Sequence, residues 1–230
     1  MPESKYPLLQ ISNLTIRQKE NILFQNFNLA VGEKGDNGDN LREPVNKLGI
    51  YAPTGTGKTT LLNWIAGIVP QGDSIQIEGK IEKADNLTIS YVFQEPRLIP
   101  SVSVLKNVML PVEKVGGIVE GGKKKAAEKA REMLEMLFLG DKLDCMPEKL
   151  SGGEKQRASI ARAFAYPGKL LLMDEPFHSQ DDEKRRLLIE ITKKLVEEEN
   201  RALIIISHNK DDLEQLGCRI ITEKDFICRD

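Results

Sequence analysis

The 230-residue sequence lacks several features that define whole classes of protein. Its three cysteines (Cys145, Cys218 and Cys228) are odd in number and have no metal-site spacing, so neither a disulfide framework nor a zinc site is expected. No apolar run approaches the roughly 20 residues that span a bilayer, and the N-terminus has no basic-then-apolar signal peptide. These absences predict a cytoplasmic protein that does not insert itself into a membrane.

An excess of positive charge is also missing. The chain carries 33 Lys and Arg residues against 35 Asp and Glu residues, a formal net charge of −2. General nucleic-acid-binding proteins usually show a basic excess, so no nucleic-acid partner is expected. Apolar residues make up 40% of the chain and charged residues 30%, which is typical of a globular protein long enough to bury its own core.

Apolar runs alternate with helix-like stretches, a pattern typical of α/β proteins with a largely parallel sheet. Strands are predicted at residues 8–16, 48–51, 75–81, 88–93, 170–173 and 203–206. Helices are predicted to begin after Gly57, near Lys124, after Gly153 and after Asp182. The Gly/Asn/Asp-rich segment 32–46 is predicted to be a surface loop. We expect one domain over 1–230, with a catalytic core at about 1–94 and 158–230 and an inserted helical subdomain at about 95–157.

The strongest local signal lies between a predicted strand and a predicted helix. It reads Ala52, Pro53, Thr54, Gly55, Thr56, Gly57, Lys58, Thr59 and Thr60. This run matches the P-loop pattern Gly-x4-Gly-Lys-[Ser/Thr], except that alanine stands at the first position. Glycines let successive backbone N–H groups point at phosphate oxygens. Lys58 would then reach the β- and γ-phosphates and the Thr59 hydroxyl a Mg²⁺ ion. The run therefore predicts a nucleotide-phosphate site.

Two further signals accompany the P-loop. The apolar strand at 170–173 ends in Asp174 and Glu175, at the edge where α/β sheets bind ligands. Asp174 is predicted to hold Mg²⁺, and Glu175 to polarise the attacking water as a general base. Before this strand, a helix start with N–H groups and a hydroxyl suited to a γ-phosphate is predicted at Ser151, Gly152, Gly153 and Glu154.

In order and approximate spacing, these motifs resemble those of ABC transporter ATPases, from about residue 11 to residue 221. The Ser-Gly-Gly-Glu-Lys-Gln-Arg element at 151–157 is highly specific for that family. The resemblance implies an α/β P-loop NTPase fold with a mainly parallel central sheet, an N-terminal antiparallel β part and an inserted helical subdomain. It also implies ATP and Mg²⁺ as cofactors and transport-coupled ATP hydrolysis. Residues 91–100 and 107–111 look most like the nitrate/sulfonate/taurine importer group.

The resemblance also assigns roles to individual residues. Gln94 matches the Q-loop, which touches Mg²⁺ or the attacking water, and Glu175 matches the catalytic glutamate. His208 matches the switch histidine that contacts the γ-phosphate. Residues 151–154 match the signature motif, which contacts ATP on the opposite subunit of a dimer, and Asp181 matches the D-loop aspartate at that interface.

Partners and location follow from the same resemblance. A second ATPase subunit, here expected to be an identical copy, and membrane permease subunits are the implied partners. A solute-binding protein would take part indirectly. The expected location is peripheral, on the cytoplasmic face of the cell membrane.

Several positions depart from the family pattern. No aromatic residue occurs at 14–19, where the family usually stacks adenine. Arg17 or Gln18 would lie against the base instead, and the lost stacking is expected to weaken adenine binding by about 1–3 kcal/mol. Gln180 stands where leucine is preferred, which is expected to soften the dimer contact, and Asn209 follows His208 where aspartate is usual. These departures leave a degenerate ABC half of low activity as one alternative.

Other functional classes are also open. Residues 209–212 (Asn-Lys-Asp-Asp) fit the Asn-Lys-x-Asp guanine motif of GTPases, although no Asp-x-x-Gly follows the P-loop. A non-transport ABC ATPase acting on DNA or ribosomes is another reading, disfavoured by the single ATPase half and the missing basic stripe. An exporter subunit is the remaining variant, although exporter ATPase domains are often fused to membrane spans.

Overall fold

The computed structural model describes residues 7–32, 45–68, 75–116 and 122–227. Of the predicted surface loop at 32–46, residues 33–44 lie outside this part of the chain. In the described ranges, the chain forms an antiparallel sheet, a parallel sheet and α-helices around two apolar clusters.

Three strands near the N-terminus form an antiparallel sheet: β1 (Leu9–Gln18), β2 (Asn21–Val31) and β4 (Ile75–Lys83). Their order in the sheet is β2-β1-β4. Phe24 of β2 is fully buried, and its ring stacks on Phe226 at 4.5 Å between centroids. Aromatic pairs of this kind add packing energy beyond their buried area. The stack therefore packs the hairpin formed by β1 and β2 against the last described residues of the chain.

The second sheet has five parallel strands: β3 (Lys47–Tyr51), β5 (Ile89–Val92), β6 (Leu170–Asp174), β7 (Ala202–Ile206) and β8 (Arg219–Thr222). Their order in the sheet is β5-β6-β7-β3-β8. Every residue of β6 and β7 is buried, as expected for strands covered on both faces. Since the strands are parallel, the carboxyl ends of β3, β6 and β7 meet at one edge, where ligands bind in such sheets.

Six α-helices lie in the described ranges. They are α1 (Lys58–Ala66), α2 (Val104–Gly116), α3 (Gly122–Met136), α4 (Gly152–Ala165), α5 (Asp182–Glu198) and α6 (Lys210–Gln215). Helices α2, α3 and α4 contact one another and bury residues such as Val108, Met133 and Ala161. Within the described ranges, no helix has the length and apolar character needed to cross a membrane.

The predicted fold class is confirmed, with a parallel sheet, an antiparallel N-terminal sheet and a helical insertion between β5 and β6. The six predicted strands correspond to β1, β3, β4, β5, β6 and β7, and each predicted start or end lies within two residues of the observed one. The sequence analysis missed β2 and β8. The division into a core at 1–94 and 158–230 and a helical subdomain at 95–157 stays a prediction.

Candidate nucleotide site

The predicted P-loop is a tight turn between β3 and α1. Gly55 and Gly57 have φ values of +86° and +87°, a region that glycine adopts without steric cost. A Cβ on Gly55 would meet no atom within 4 Å, so this side of the loop is open. Ala52 is 4% exposed and is not among the residues with positive φ, so this position does not require glycine. The alanine at the first position is therefore compatible with the turn.

Lys58, the first residue of α1, folds back under this loop. Its Nζ donates hydrogen bonds of 2.6 Å to the carbonyl oxygens of Ala52 and Pro53. Burial lowers the pKa of Lys58, and the carboxylates of Glu175 and Asp174 oppose this shift. The two carbonyl oxygens thus fix the position of the amine, and the two carboxylates favour its charged form.

Thr59 and Asp174 bring two oxygen atoms together beside Lys58. Thr59 Oγ1 donates a 2.7 Å hydrogen bond to Asp174 Oδ2. Burial raises the pKa of Asp174, whereas this hydrogen bond and Lys58 lower it. In the described part of the chain, no three His, Cys, Asp or Glu side chains form a metal cluster. A hydroxyl with one carboxylate nevertheless fits Mg²⁺, which takes oxygen ligands and leaves other positions to phosphates and water.

Glu175 follows Asp174 with a backbone φ of +48°, uncommon for a residue other than glycine. Its Oε2 accepts a hydrogen bond of 3.2 Å from the backbone N–H of His208. Its Oε1 lies 3.2 Å from His208 Nε2, but this buried oxygen has no hydrogen-bond partner among the described residues. Burial raises the pKa of Glu175 to about 7. A carboxylate that lines the cavity and has this pKa can accept a proton from water.

His208 follows β7, at the same edge of the sheet. Its Nε2 lies 3.5 Å from Thr54 Oγ1, so the imidazole stands between the P-loop and Glu175. Burial and the charge of Lys58 lower the pKa of His208, which favours the neutral ring. The side chain is 47% exposed and can reach a ligand in the space above the loop.

One cavity of about 200 Å³ gathers most of the predicted site residues. Its lining consists of Gln18, Thr54, Gly55, Gly57, Lys58, Thr59, Thr60, Gln94, Asp174, Glu175 and His208. Gln18 belongs to β1 and reaches the cavity from the antiparallel sheet. Three P-loop residues are absent from this lining. Ala52 and Pro53 instead present carbonyls to Lys58, and the Thr56 hydroxyl donates to Pro53 O at 2.9 Å.

The remaining predicted residues lie at two helix starts outside this lining. Ser151 caps α4: its hydroxyl accepts from the Glu154 N–H at 3.2 Å, and Glu154 Oε2 accepts from the Ser151 N–H at 2.8 Å. Gly152 and Gly153 form the first turn of that helix. Asp181 caps α5 and accepts from the Lys184 N–H at 2.9 Å. The predicted cap at Ser151 is confirmed, but neither helix start contributes to the cavity of its own chain.

The sequence analysis missed a partly buried ion pair next to Ser207, in which Asp212 is buried and Arg185 is 26% exposed. Arg185 Nε and Nη2 donate to the two carboxylate oxygens of Asp212 at 2.9 and 2.7 Å. Asp212 also accepts from the Ser207 hydroxyl at 3.0 Å. In the GTPase reading, this aspartate would read guanine, but here its carboxylate is already engaged by Arg185 and Ser207. No local pattern links residues 185 and 212, so only the fold reveals the pair.

Comparison with known protein families gives a direct match. Residues 42–178 match the model of the ABC transporter family. This segment covers more than half of the chain and includes the P-loop, the signature motif and the two carboxylates. The chain belongs to the ABC transporter family, and ATP hydrolysis is the activity of such ATP-binding cassettes.

Individual relatives carry different transport names. The chain is 35% identical over 173 residues to the aliphatic sulfonates import ATP-binding protein SsuB 1 of Nocardia farcinica, covering 75% of this chain and 64% of that protein. It is 34% identical over 193 residues to the lipoprotein-releasing system ATP-binding protein LolD 2 of Caulobacter vibrioides, covering 79% and 82%. The relatives therefore establish the family without singling out the nitrate/sulfonate/taurine group.

A solved structure supports the fold over nearly the whole chain. The ATP-binding cassette MJ0796, in a dimeric post-hydrolysis state bound to ADP and Pi, matches with a TM-score of 0.76 and 28% identity. The match covers 96% of this chain and 97% of that cassette.

Proposed function

We propose that this chain is the ATP-hydrolysing subunit of a solute importer and acts through membrane permease subunits. We further propose that the solute belongs to the nitrate/sulfonate/taurine class. The observation that carries the hydrolytic role is one cavity lined by Lys58, Thr59, Asp174, Glu175 and His208. A phosphate-binding loop, an acidic magnesium ligand and a buried general base are the groups that phosphoryl transfer to water requires.

The chain's own groups perform the reaction as follows. The P-loop N–H groups and Lys58 hold the β- and γ-phosphates of ATP. The Glu175 carboxylate orients a water molecule and accepts its proton, while the water oxygen bonds to the γ-phosphorus and the bond to the β-phosphate oxygen breaks. His208 donates a hydrogen bond to the γ-phosphate. Thr59, Asp174 and Gln94 would hold Mg²⁺, which when bound neutralises charge on the phosphates.

We propose that a second, identical copy completes each site. Ser151, Gly152 and Asp181 are exposed and do not line the cavity of their own chain, so they are accessible to a partner. A helix N-terminus with free N–H groups suits a γ-phosphate. The cassette MJ0796, similar over almost the full length, is described as a dimer. In this arrangement, ATP lies between the P-loop of one copy and the signature motif of the other.

A second candidate function is lipoprotein release. The similarity to LolD 2 covers 82% of that protein, more than the 64% covered for SsuB 1. Both candidates use the same hydrolytic site, so the cargo separates them. Import of a sulfonate is favoured by the resemblance of residues 91–100 and 107–111 to the sulfonate importer group.

ATP hydrolysis by the purified chain tests the core of the proposal. Wild type is expected to bind and hydrolyse ATP with Mg²⁺. Lys58→Ala is expected to lose nucleotide binding, and Glu175→Gln to retain binding and lose turnover. Lys80→Ala and Glu82→Gln, at exposed positions on β4, serve as matched controls. Near-wild-type hydrolysis by Glu175→Gln would remove Glu175 from the role of general base.

The cargo requires the complete transporter. The Glu175→Gln chain, purified from its native cells with ATP, is expected to retain membrane permease subunits. Proteoliposomes containing the wild-type complex are expected to take up an alkanesulfonate in an ATP-dependent manner. Absence of uptake, with ATP-dependent release of a lipoprotein, would establish the second candidate instead.

A further inference from the structure

The side chain of Gln180 bridges two motifs of its own chain. Its Nε2 donates a 3.0 Å hydrogen bond to the carbonyl oxygen of Gly153, in the first turn of α4. Its Oε1 accepts a 3.0 Å hydrogen bond from Arg157 Nη1, one turn further along the same helix. The amide therefore uses both of its ends on α4.

The backbone beside Gln180 also lies unusually close to this helix. A Cβ on Gly153 would lie 2.8 Å from the Ser179 carbonyl oxygen, so glycine is required for this approach. Arg157 is 7% exposed, and its Nε donates to the Leu137 carbonyl at 3.1 Å. The contact with Leu137 thus fixes the orientation of the guanidinium that donates to Gln180.

The segment that carries Gln180 begins at the candidate general base. The Glu175 carbonyl accepts from the His178 N–H at 3.3 Å, and the Phe177 carbonyl accepts from the Gln180 N–H at 3.3 Å. Two successive turns therefore connect the carboxylate to the bridging amide. Asp181, the cap of α5, follows directly.

From these contacts we propose that Gln180 is a positioning residue: it holds the signature turn at 151–154 and the D-loop at 178–181 as one rigid unit. The functional part of this inference rests on the proposed ATP-bound dimer, in which both motifs face the second copy. Gln180 does not contact ATP in this scheme. Its amide fixes the orientation in which the signature turn meets the γ-phosphate on the opposite subunit.

Replacement of the amide by a thioether of similar length tests the bridge. Gln180→Met removes both hydrogen bonds, and Gln10→Met, at an exposed glutamine of β1, is the matched control. In the Glu175→Gln background, Gln180→Met is expected to weaken ATP-dependent dimerisation about tenfold and leave ATP binding by the monomer unchanged. Gln180→Glu keeps an acceptor for Arg157, and its dimerisation affinity is expected to lie between those of the chain with Gln180 and the chain with Gln180→Met. Analytical ultracentrifugation and nucleotide titration measure these quantities.

Amide hydrogen exchange tests the bridge without relying on the dimer. In the nucleotide-free monomer, Gln180→Met is expected to exchange faster than wild type in peptides covering 151–157 and 178–181, and Gln10→Met is not. Unchanged exchange in both segments would overturn the bridge. Faster exchange with unaltered dimerisation would overturn its positioning role. If Glu175→Gln with Gln180 intact fails to dimerise with ATP, the proposed dimer is at fault, and exchange still decides the contact.

Discussion

Thr59 Oγ1 and Asp174 Oδ2 are joined by a 2.7 Å hydrogen bond, although the residues are 115 positions apart in the chain. Thr59 lies in the first turn of α1, and Asp174 is the last residue of β6. The bond exists because β3 and β6 end at the same edge of a parallel sheet, with β7 between them. The Thr59 hydroxyl and the Asp174 carboxylate are thereby placed side by side at this edge.

This relationship predicts a magnesium-dependent effect of Thr59→Val, which keeps the shape of the side chain and removes its hydroxyl. ATP affinity is expected to fall about tenfold in Mg²⁺, within the range for altered metal sites, and to be unchanged in EDTA. Isothermal titration calorimetry under both conditions measures the difference. Thr59→Ser retains the hydroxyl and should retain most of the affinity. Equal losses with and without Mg²⁺ would indicate that the residue only shapes the loop.

A second prediction concerns the stability of the nucleotide-free protein. Burial raises the pKa of Glu175 from 4.5 to about 7, so the folded state disfavours its carboxylate. This cost is absent below about pH 4.5, grows as the pH rises to about 7 and is constant above. Glu175→Gln removes this cost and should therefore stabilise the protein at pH 8. The full effect would be roughly 1.4 kcal/mol for each unit of pKa difference. Solvent in the open cavity screens part of it, so we expect a stabilisation of roughly 2 kcal/mol.

Urea unfolding at pH 4.5 and pH 8 measures this pH dependence. The variant and wild type are expected to coincide at pH 4.5 and to separate at pH 8. Glu82→Gln, an exposed glutamate of β4, controls for the general effect of losing a negative charge. A stabilisation by Glu175→Gln that is equal at both pH values would contradict burial of the charge as its cause.

The β1 side of the cavity provides a third prediction. Gln18 is the β1 residue in the cavity lining, and no aromatic side chain belongs to that lining within the described chain. Arg17, the other residue expected to lie against the base, forms an ion pair with Glu78, with 3.2 Å between Nη1 and Oε1. Gln18→Tyr should therefore supply a stacking surface and increase ATP affinity about tenfold, since base–aromatic stacking contributes about 1–3 kcal/mol. Gln10→Tyr on the same strand is the control, and fluorescent-nucleotide titration is the measurement. Unchanged affinity in Gln18→Tyr would place the base elsewhere.

The local motifs could be predicted because each depends on residues adjacent in the chain. The P-loop glycines, the apolar run of β6 and the Ser151 cap all carry their signal within about ten positions. Strand β2 was missed because its asparagines lower β propensity, and it is held instead by pairing with β1 and by burial of Phe24 and Phe27. Its stability is a property of the tertiary structure.

Gln180 and Asp212 show the same limit within the candidate site. The sequence marks Gln180 only as a departure from the family pattern, expected to soften a dimer contact. That expectation is untested, but the structure turns the amide toward Gly153 and Arg157 of its own chain. Asp212 fitted a guanine motif by spacing alone, yet its partner is Arg185 on another helix. Polar residues acquire such roles from three-dimensional neighbours, which spacing along the chain does not encode.

The Arg185–Asp212 pair leads to a prediction about folding. The Asp212 side chain is 3% exposed and that of Arg185 is 26% exposed, so loss of the Arg185 cation leaves a buried carboxylate without its counter-charge. Arg185→Met should therefore lower the free energy of unfolding by about 3 kcal/mol. Arg186→Met, at the exposed neighbouring position of α5, should change it by less than about 0.5 kcal/mol. Urea unfolding at pH 7.5 measures both variants.

The double variant Arg185→Met/Asp212→Asn separates the charge from the packing. A neutral amide needs no cation and can still accept the hydrogen bond from Ser207, so the double variant should regain part of the stability lost in Arg185→Met.

Because Ser207 Oγ accepts from the Asn209 N–H at 3.1 Å, the same contacts hold the backbone on both sides of His208. Arg185→Met should therefore also lower kcat more than ATP affinity. A double variant no more stable than Arg185→Met, with kcat unchanged in Arg185→Met, would show that the pair neither compensates a buried charge nor orders the histidine loop.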